Sequence, residues 1–185
     1  MEFEIKLIEF LQAGRNPFFD MSFQVISIVG SAVGLVALVL FLFVFNKKLC
    51  FWYLFSYGFV YLTISALKSI IKRPRPFNVV DTIANIGDAV NEFSFPSGHA
   101  ACATAIAIFL GCFLFTKFKK KSTRVGIVLS CTLFVGLVCL SRMYLGKHYL
   151  TDVLAGVLVS AVVCVLGLLF MKFATKKKKE KKNEN

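Results

Sequence analysis

The only two histidines in the chain, His99 and His148, each lie in a short polar cluster beside a long apolar run. His148 precedes Asp152 by four residues, a spacing that places both side chains on one face of a helix. A carboxylate there can accept the Nδ1 proton of the ring and leave Nε2 free as a nucleophile. A simple helix-stabilising pair is the alternative, although an unpaired acid at the head of an apolar run would be costly.

His99 ends the segment Pro96-Ser97-Gly98-His99. Pro96 suits the first turn of a helix, which would leave the amides of Ser97 and Gly98 free at the helix start. A helix start carries partial positive charge that favours phosphate, and Gly98 allows an anion to approach the main chain. His99 adds a group that exchanges a proton near neutral pH. A capped helix with a structural histidine is the alternative for this segment alone.

Three cationic residues accompany the histidines: Lys68, Arg75 and Arg142. Lys68 lies within the end of an apolar run, where an unpaired charge is costly, although a lysine there can also snorkel to the membrane surface. Cations around an oriented imidazole and free amides match phosphoryl transfer, which depends on positioning and charge neutralisation. Because no cluster of carboxylates offers a magnesium site, the sequence predicts a reaction without metal or cofactor.

Long stretches without charge separate these clusters, and the 185-residue chain is 57% hydrophobic. Each stretch is about long enough to cross a bilayer core of roughly 30 Å, and continuous apolar runs span lipid as helices. This composition excludes a soluble fold and predicts an all-α bundle of five transmembrane helices, the fourth extending past Arg142. The charge-free stretches are Met21–Phe45, Leu49–Leu67, Phe93–Thr116, Val125–Ser141 and Val153–Met171.

The segment before the first span has its own helical pattern. Phe3, Leu7 and Phe10 recur at helical spacing with charged residues between them, which predicts an amphipathic helix on the membrane surface. We expect a simple surface anchor, and a lid or collar over the site is the alternative. A further short interfacial helix is expected within 77–93. The predicted organisation is an interfacial helix over 1–20, a transmembrane domain over 21–173 and a basic, disordered cytoplasmic tail over 174–185.

Positive charge is concentrated at one end of the predicted bundle. Of the 22 Lys and Arg residues, 14 lie in the turn at 46–48, the loop 117–124 and the segment from Lys172 onward, at the end opposite to the histidines. The positive-inside rule places this basic end in the cytoplasm, with the C-terminus. The N-terminus and the polar clusters then face outward. The Lys-rich tail indicates contact with anionic lipid headgroups rather than with nucleic acid.

Taken in order, the three clusters resemble the signature of the type 2 phosphatidic acid phosphatase (PAP2) superfamily, which is K-x6-R-P, P-S-G-H and S-R-x5-H-x3-D. Every signature position and spacing is matched. The matching residues are Lys68 with Arg75-Pro76, then Pro96-Ser97-Gly98-His99, then Ser141-Arg142 with His148 and Asp152. Many members of that family have six spans, whereas this chain is predicted to have five and an N-terminal surface helix.

The resemblance implies a residue-by-residue mechanism on a core similar to that of the vanadium haloperoxidases. Lys68, Arg75 and Arg142 would bind the phosphate oxygens, assisted by Ser97 and Gly98. His148, held by Asp152, would attack phosphorus and form a phosphohistidine, and His99 would protonate the leaving oxygen. Water would then release phosphate.

The predicted function is hydrolysis of a lipid phosphate by a multi-pass membrane enzyme at the outer leaflet. By resemblance to small bacterial members, the expected substrates are undecaprenyl pyrophosphate, phosphatidylglycerophosphate and phosphatidic acid. Two alternatives remain: a vanadate-dependent haloperoxidase, against which five spans count heavily, and a non-catalytic lipid-binding relative, which would not need both histidines. The sequence does not determine the preferred lipid or the oligomeric state.

Overall fold

The computed structural model describes residues 2–87 and 91–183, and these residues form helices and their connections, with no strand among them. The prediction of an all-helical bundle is therefore confirmed. A 3₁₀ turn, Pro76–Asn78, lies in the long connection between the fourth and fifth helices. The α-helices of the described residues are α1 Glu2–Gln12, α2 Pro17–Val29, α3 Ala32–Phe45, α4 Lys47–Ile71, α5 Gly98–Lys117, α6 Lys121–Tyr144 and α7 Leu150–Asn183.

Helix α5 occupies the centre of the bundle and packs against α3, α4, α6 and α7. Its buried side chains are small over the first turns, as Ala101 and Ala105 illustrate, and larger further along, as Phe109 illustrates. The start of α5 approaches α7 very closely, since a Cβ atom at Gly156 would lie 2.4 Å from the carbonyl oxygen of Ser97. The missing side chain of Gly156 therefore allows the two helices to meet directly beneath the polar clusters.

The polar clusters meet at one end of this bundle, which we call the site end. It contains the end of α4, the start of α5, the end of α6 and the start of α7. Long-range bonds confirm the meeting: the amide of Ser97 donates to the carbonyl of Asp152 at 2.9 Å. The guanidinium of Arg75 likewise donates to the carbonyl of Lys147 at 2.9 Å. The short connections after α5 and α6 require this arrangement, because they reverse the chain direction between neighbouring helices.

The first predicted span is two helices rather than one. Helices α2 and α3 meet at Gly30 and Ser31 with a bend of 44°, so the described residues contain four clear candidate spans, or five if this pair counts as one. The hydroxyl oxygen of Ser31 accepts from the amide of Val33 at 3.3 Å and caps α3. No charged residue marks this break, so the length of the charge-free stretch predicted one continuous span. As predicted, α6 extends past Arg142, to Tyr144.

Helix α1 is docked on the site end, so the expectation of a simple surface anchor was wrong. Its buried residues are Glu4, Ile8 and Gln12, one per turn, whereas Phe3 and Phe10 are exposed. Gln12 Nε2 donates to the carbonyl of Tyr144 at 2.7 Å. The docked face therefore combines the polar Glu4 and Gln12 with apolar side chains, since Ile5, Leu7 and Leu11 also pack against the core.

Two further expectations differ from the structure. The described residues of 77–93 form the 3₁₀ turn and irregular backbone rather than an interfacial helix, because contacts with the bundle satisfy backbone groups, such as Ile86 N to Leu145 O at 3.3 Å. Residues 88–90, which include part of that predicted face, lie outside the described residues. Helix α7 continues to Asn183 through most of the expected disordered tail, since lysine and glutamate are good helix formers.

Candidate active site

His148 lies in the connection between α6 and α7, and Asp152 lies in the first turn of α7. Both are buried, with 2% and 0% of the side-chain surface exposed. The ring Nδ1 is 3.6 Å from Asp152 Oδ2, slightly beyond hydrogen-bond distance. The carboxylate thus faces the Nδ1 edge of the ring, and contacts of this kind often tighten only when substrate binds.

Three donors from separate segments hold the carboxylate of Asp152. Ser94 Oγ and the amide of Tyr149 donate to Oδ2, the latter at 2.9 Å. Arg73 Nη1 donates to Oδ1 at 2.6 Å. Because a carboxylate accepts at both oxygens, donors on each side fix its orientation. The contacts therefore determine where the acid faces His148.

The opposite edge of the His148 ring faces Arg75, whose Nη1 is 3.3 Å from Nε2. Arg75 is 3% exposed and is held by the carbonyls of Lys147 and Glu92, at 2.9 and 2.7 Å. A guanidinium can only donate, so Nε2 must present its lone pair and the ring proton belongs on Nδ1, towards Asp152. This is the tautomer that a nucleophilic Nε2 requires.

The surroundings of His148 keep the ring neutral. Burial lowers the pKa of His148 well below its ordinary value, and the nearby cations Arg142 and Arg75 lower it further, while Asp152 opposes the shift. The imidazole therefore remains unprotonated and nucleophilic at neutral pH.

The other two predicted cations reach the same region. Arg142 is 6% exposed; its Nη1 donates to Ser27 Oγ at 2.6 Å, while its Nε has no hydrogen-bond partner among the described residues. A buried donor without a partner is costly, which indicates a place for an acceptor from a ligand. Lys68 Nζ donates to the carbonyl of Phe93 and lies 3.6 Å from the carboxylate of Glu92.

His99 lines two cavities at the site end. One, of about 670 Å³, also contains Lys68 and Gly98 and continues along α4 past Ile64 to Tyr57. The other, of about 260 Å³, contains Arg142 and Lys147 and is more polar. His99 is close enough to Arg142, Arg75, Lys68 and His148 for each to act on it electrostatically. The structure therefore brings both histidines and the three predicted cations into one site.

The start of α5 differs in detail from the prediction. The helix begins at Gly98, with Ser97 as its N-cap and Pro96 outside the first turn. The amide of Ser97 donates to the carbonyl of Asp152 and is not free, which corrects its predicted role as an amide donor. Within the described part of the chain no hydrogen bond engages the amides of Gly98 and His99. Open space surrounds the Cβ position of Gly98, so these amides are accessible to an anion.

Sequence reasoning assigned no role to several residues that support the site. Arg73 and Ser94 hold Asp152, and Ser27 holds Arg142. The sequence did contain a signal for Arg73, because the pair Arg73-Pro74 directly precedes the signature pair Arg75-Pro76 and has the same composition. No group of three or more His, Cys, Asp or Glu side chains in residues 2–87 and 91–183 is arranged to hold a metal ion.

Comparison with solved structures shows two close matches of fold. The chain superposes on the crystal structure of Aquifex aeolicus LpxE with a TM-score of 0.76 and 25% identity, covering 90% of this chain and 94% of that one. It also superposes on a transmembrane PAP2-type phosphatidylglycerolphosphate phosphatase from Bacillus subtilis with a TM-score of 0.80 and 25% identity. This match covers 92% of this chain and 85% of that one.

Sequence comparison finds named phosphatases. The chain is 29% identical over 173 residues to a lipid A 4'-phosphatase of Bacteroides thetaiotaomicron, covering 85% of this chain and 72% of that protein. It is 39% identical over 101 residues to human sphingosine-1-phosphate phosphatase 2, covering 54% of this chain but only 24% of the human protein. The model of the PAP2 superfamily matches residues 49–176, which include all three signature clusters. On this match and the shared transmembrane fold, the chain belongs to the PAP2 superfamily.

Proposed function

We propose that this protein is a membrane lipid phosphatase that uses His148 as nucleophile. One observation carries the proposal: Arg75 Nη1 lies 3.3 Å from His148 Nε2, so a cation stands beside the lone pair that would attack phosphorus. Lys68 and Arg142, whose Nε has no partner among the described residues, supply further positive charge in the two cavities that His99 lines. A phosphoryl group bound there would have its oxygens neutralised next to the attacking nitrogen.

The proposed reaction has two balanced steps. Nε2 of His148 attacks phosphorus, the bond to the leaving oxygen breaks, and His99 donates its proton to that oxygen. The negative charge of the bound phosphate favours protonation of His99 among the surrounding cations. Water then attacks the phosphohistidine, His99 accepts the water proton, and phosphate leaves with His148 restored.

The larger cavity supports a lipid substrate. It follows α4 from Lys68 to Tyr57, about 16 Å at the helical rise of 1.5 Å per residue, and passes Ile64 and Tyr61. A phosphate between Lys68 and His99 would leave an attached hydrocarbon chain along this apolar wall. A substrate of this kind enters from the bilayer rather than from water.

We further propose that the site end faces outward. Fourteen of the 22 Lys and Arg residues lie at the other end of the bundle, which the positive-inside rule assigns to the cytoplasm. The enzyme would then act at the outer leaflet, with the N-terminus outside and the C-terminus in the cytoplasm. A cysteine introduced at an exposed position of α1, such as Phe10→Cys, can be tested for labelling by an impermeant thiol reagent on intact cells.

Phosphate release from a panel of lipids tests the proposed activity. Protein purified in detergent with EDTA should release phosphate from at least one of undecaprenyl pyrophosphate, phosphatidylglycerophosphate, phosphatidic acid, sphingosine-1-phosphate and lipid A. Activity should survive EDTA because Lys68, Arg75 and Arg142 neutralise the phosphate. A His148→Ala preparation controls for contaminating phosphatases. No release from any of these lipids, or release only when EDTA is omitted, would contradict the proposal.

The dependence of rate on pH tests the state of His148. The attacking ring must be neutral, and burial lowers its pKa, so the reactive form persists into acid and is lost only as pH falls through the lowered pKa. We expect the acid limb of kcat/KM to lie well below pH 6.5, the ordinary value for histidine. Tryptophan fluorescence at each pH separates this limb from acid unfolding. An acid limb at or above the ordinary value would show that the buried neutral ring is not the titrating nucleophile.

A further inference from the structure

A buried carboxylate of the N-terminal helix reaches the catalytic cluster. Glu4 in α1 is 8% exposed, and no part of the family signature includes it. Its Oε1 accepts from the amide and the hydroxyl of Thr151, at 2.9 and 2.8 Å. Its Oε2 accepts from Arg73 Nη2 at 2.9 Å. One side chain from the start of the protein therefore contacts both the start of α7 and the segment after α4.

Arg73 connects Glu4 to Asp152. One terminal nitrogen of its guanidinium donates to Glu4, and the other donates at 2.6 Å to both Asp152 Oδ1 and Thr151 Oγ1. The guanidinium also lies 3.9 Å from the centre of the Tyr149 ring. Both terminal nitrogens of the Arg73 guanidinium are thus engaged by protein groups.

The buried negative charge of Asp152 requires a cationic partner, and the contacts of Arg73 supply one. Asp152 has no exposed surface and faces a neutral imidazole, so Arg73 is the cation that pairs with it. Burial alone would raise the pKa of Glu4, but hydrogen bonds from Thr151 and Arg73 hold that pKa below its ordinary value. Glu4 is therefore ionised at neutral pH and can hold Arg73 in place.

The docking of α1 fixes this arrangement along the helix. Ile8, one turn after Glu4, is fully buried. Gln12, one turn further, bonds the carbonyls of Ala84 and Tyr144 and accepts from the amide of Ala84 at 2.9 Å. The polar residues at positions 4 and 12 therefore secure α1 at two places, with Glu4 directed at the site.

We propose that Glu4 and Arg73 are positioning residues that orient Asp152, and through it His148, so that α1 completes the active site. Neither residue need touch the substrate. The inference rests on the proposed function, in which His148 attacks phosphorus. It predicts that removing the Glu4 carboxylate slows the chemical step more than it weakens substrate binding.

The experiment compares Glu4→Gln with Glu2→Gln, the same change on the exposed face of α1. Glu2 is 82% exposed and, within the described residues, pairs with Lys6 alone, at 2.6 Å, so it serves as a matched control. Glu4→Gln should lower kcat by about ten- to hundredfold, the loss expected for a hydrogen bond between charged groups, with KM within about twofold of wild type. Glu2→Gln should keep the wild-type kcat and KM.

A double variant tests whether the two residues act as one unit. Since Glu4 acts through Arg73, Glu4→Gln combined with Arg73→Gln should lose no more kcat than Arg73→Gln alone. Losses that multiply would show independent roles and overturn the inference. Should Glu4→Gln unfold, Glu4→Asp keeps the charge on a side chain too short to reach Arg73, and a reduced kcat with unchanged KM then supports the same conclusion.

The outcomes separate this inference from the proposed function. A wild-type kcat in Glu4→Gln, while wild type is active and His148→Ala is not, overturns the positioning role alone. A rise in KM without a fall in kcat also overturns it, because that result assigns Glu4 to substrate binding. Absence of phosphate release by wild type itself contradicts the proposed function instead.

Discussion

Replacing His148 by alanine is expected to abolish phosphate release, lowering kcat by at least about 10³-fold, as removal of a nucleophile does in enzymes with covalent intermediates. The side chain is buried between Asp152 and Arg75. The other histidine, His99, lies at the start of α5 and is assigned the proton transfer. The loss should therefore appear in kcat for every lipid that the wild type hydrolyses.

Two measurements make this result specific. The thermal unfolding midpoint of His148→Ala should stay close to that of wild type, because the change removes a neutral ring and leaves Asp152 paired with Arg73. Rapid mixing with a phosphate-labelled lipid, quenched in alkali, should trap label on wild type and none on the variant. Unchanged turnover in a folded variant, or label trapped equally on it, would remove His148 from the mechanism and leave the non-catalytic alternative.

Arg142→Lys is expected to lower kcat/KM by about ten- to hundredfold although it preserves the charge, since a lysine cannot reproduce bidentate donation to phosphate. Arg142 is buried, and one terminal nitrogen is committed to Ser27, at 2.6 Å. Its Nε has no partner among the residues described, so a phosphate oxygen can accept from it. A lysine has a single side-chain nitrogen, which cannot reach both Ser27 and the phosphate oxygen in the way that the separate nitrogens of Arg142 can.

Helix α6 supplies its own control for this experiment. Arg124, at the opposite end of the same helix, is half-buried and donates to the carbonyls of Phe118 and Phe115. Arg124→Lys should retain wild-type kcat/KM, and Arg142→Gln, which also removes the charge, should be slower than Arg142→Lys. Equal activity of Arg142→Lys and wild type would show that Arg142 provides only charge or only structure.

Much of the fold follows from local sequence features. The apolar runs predicted the bundle and, apart from the bend at Gly30 and Ser31, its spans. The charge-free stretches did not predict that bend, because a glycine and a serine interrupt a helix without adding charge. The failed expectation of an interfacial helix within 77–93 has a similar cause, since its apolar periodicity reflects contacts with the bundle, where Ile83 and Ile86 are buried.

Local sequence features could not identify the residues that hold the site in place. Glu4 and Arg73 are 69 residues apart, and Arg73 and Asp152 are 79 apart. No local spacing relates such residues, and a charged residue in a surface helix is ordinarily solvated. The amphipathic pattern of α1 therefore gave no indication that Glu4 and Gln12 lie on the face that docks.

By itself, the sequence determined the helical class, the order of the polar clusters and their meeting at one end, because spans joined by short connections must alternate in direction. It also indicated the pairing of His148 with Asp152 from their spacing of four residues, although His148 lies in the connection before α7 rather than on the helix. Only the tertiary structure decided which amides remain free at the start of α5, how Arg75 sets the tautomer of His148, and that α1 reaches Asp152 through Arg73. Those features depend on contacts between distant segments, which form only when the helices pack.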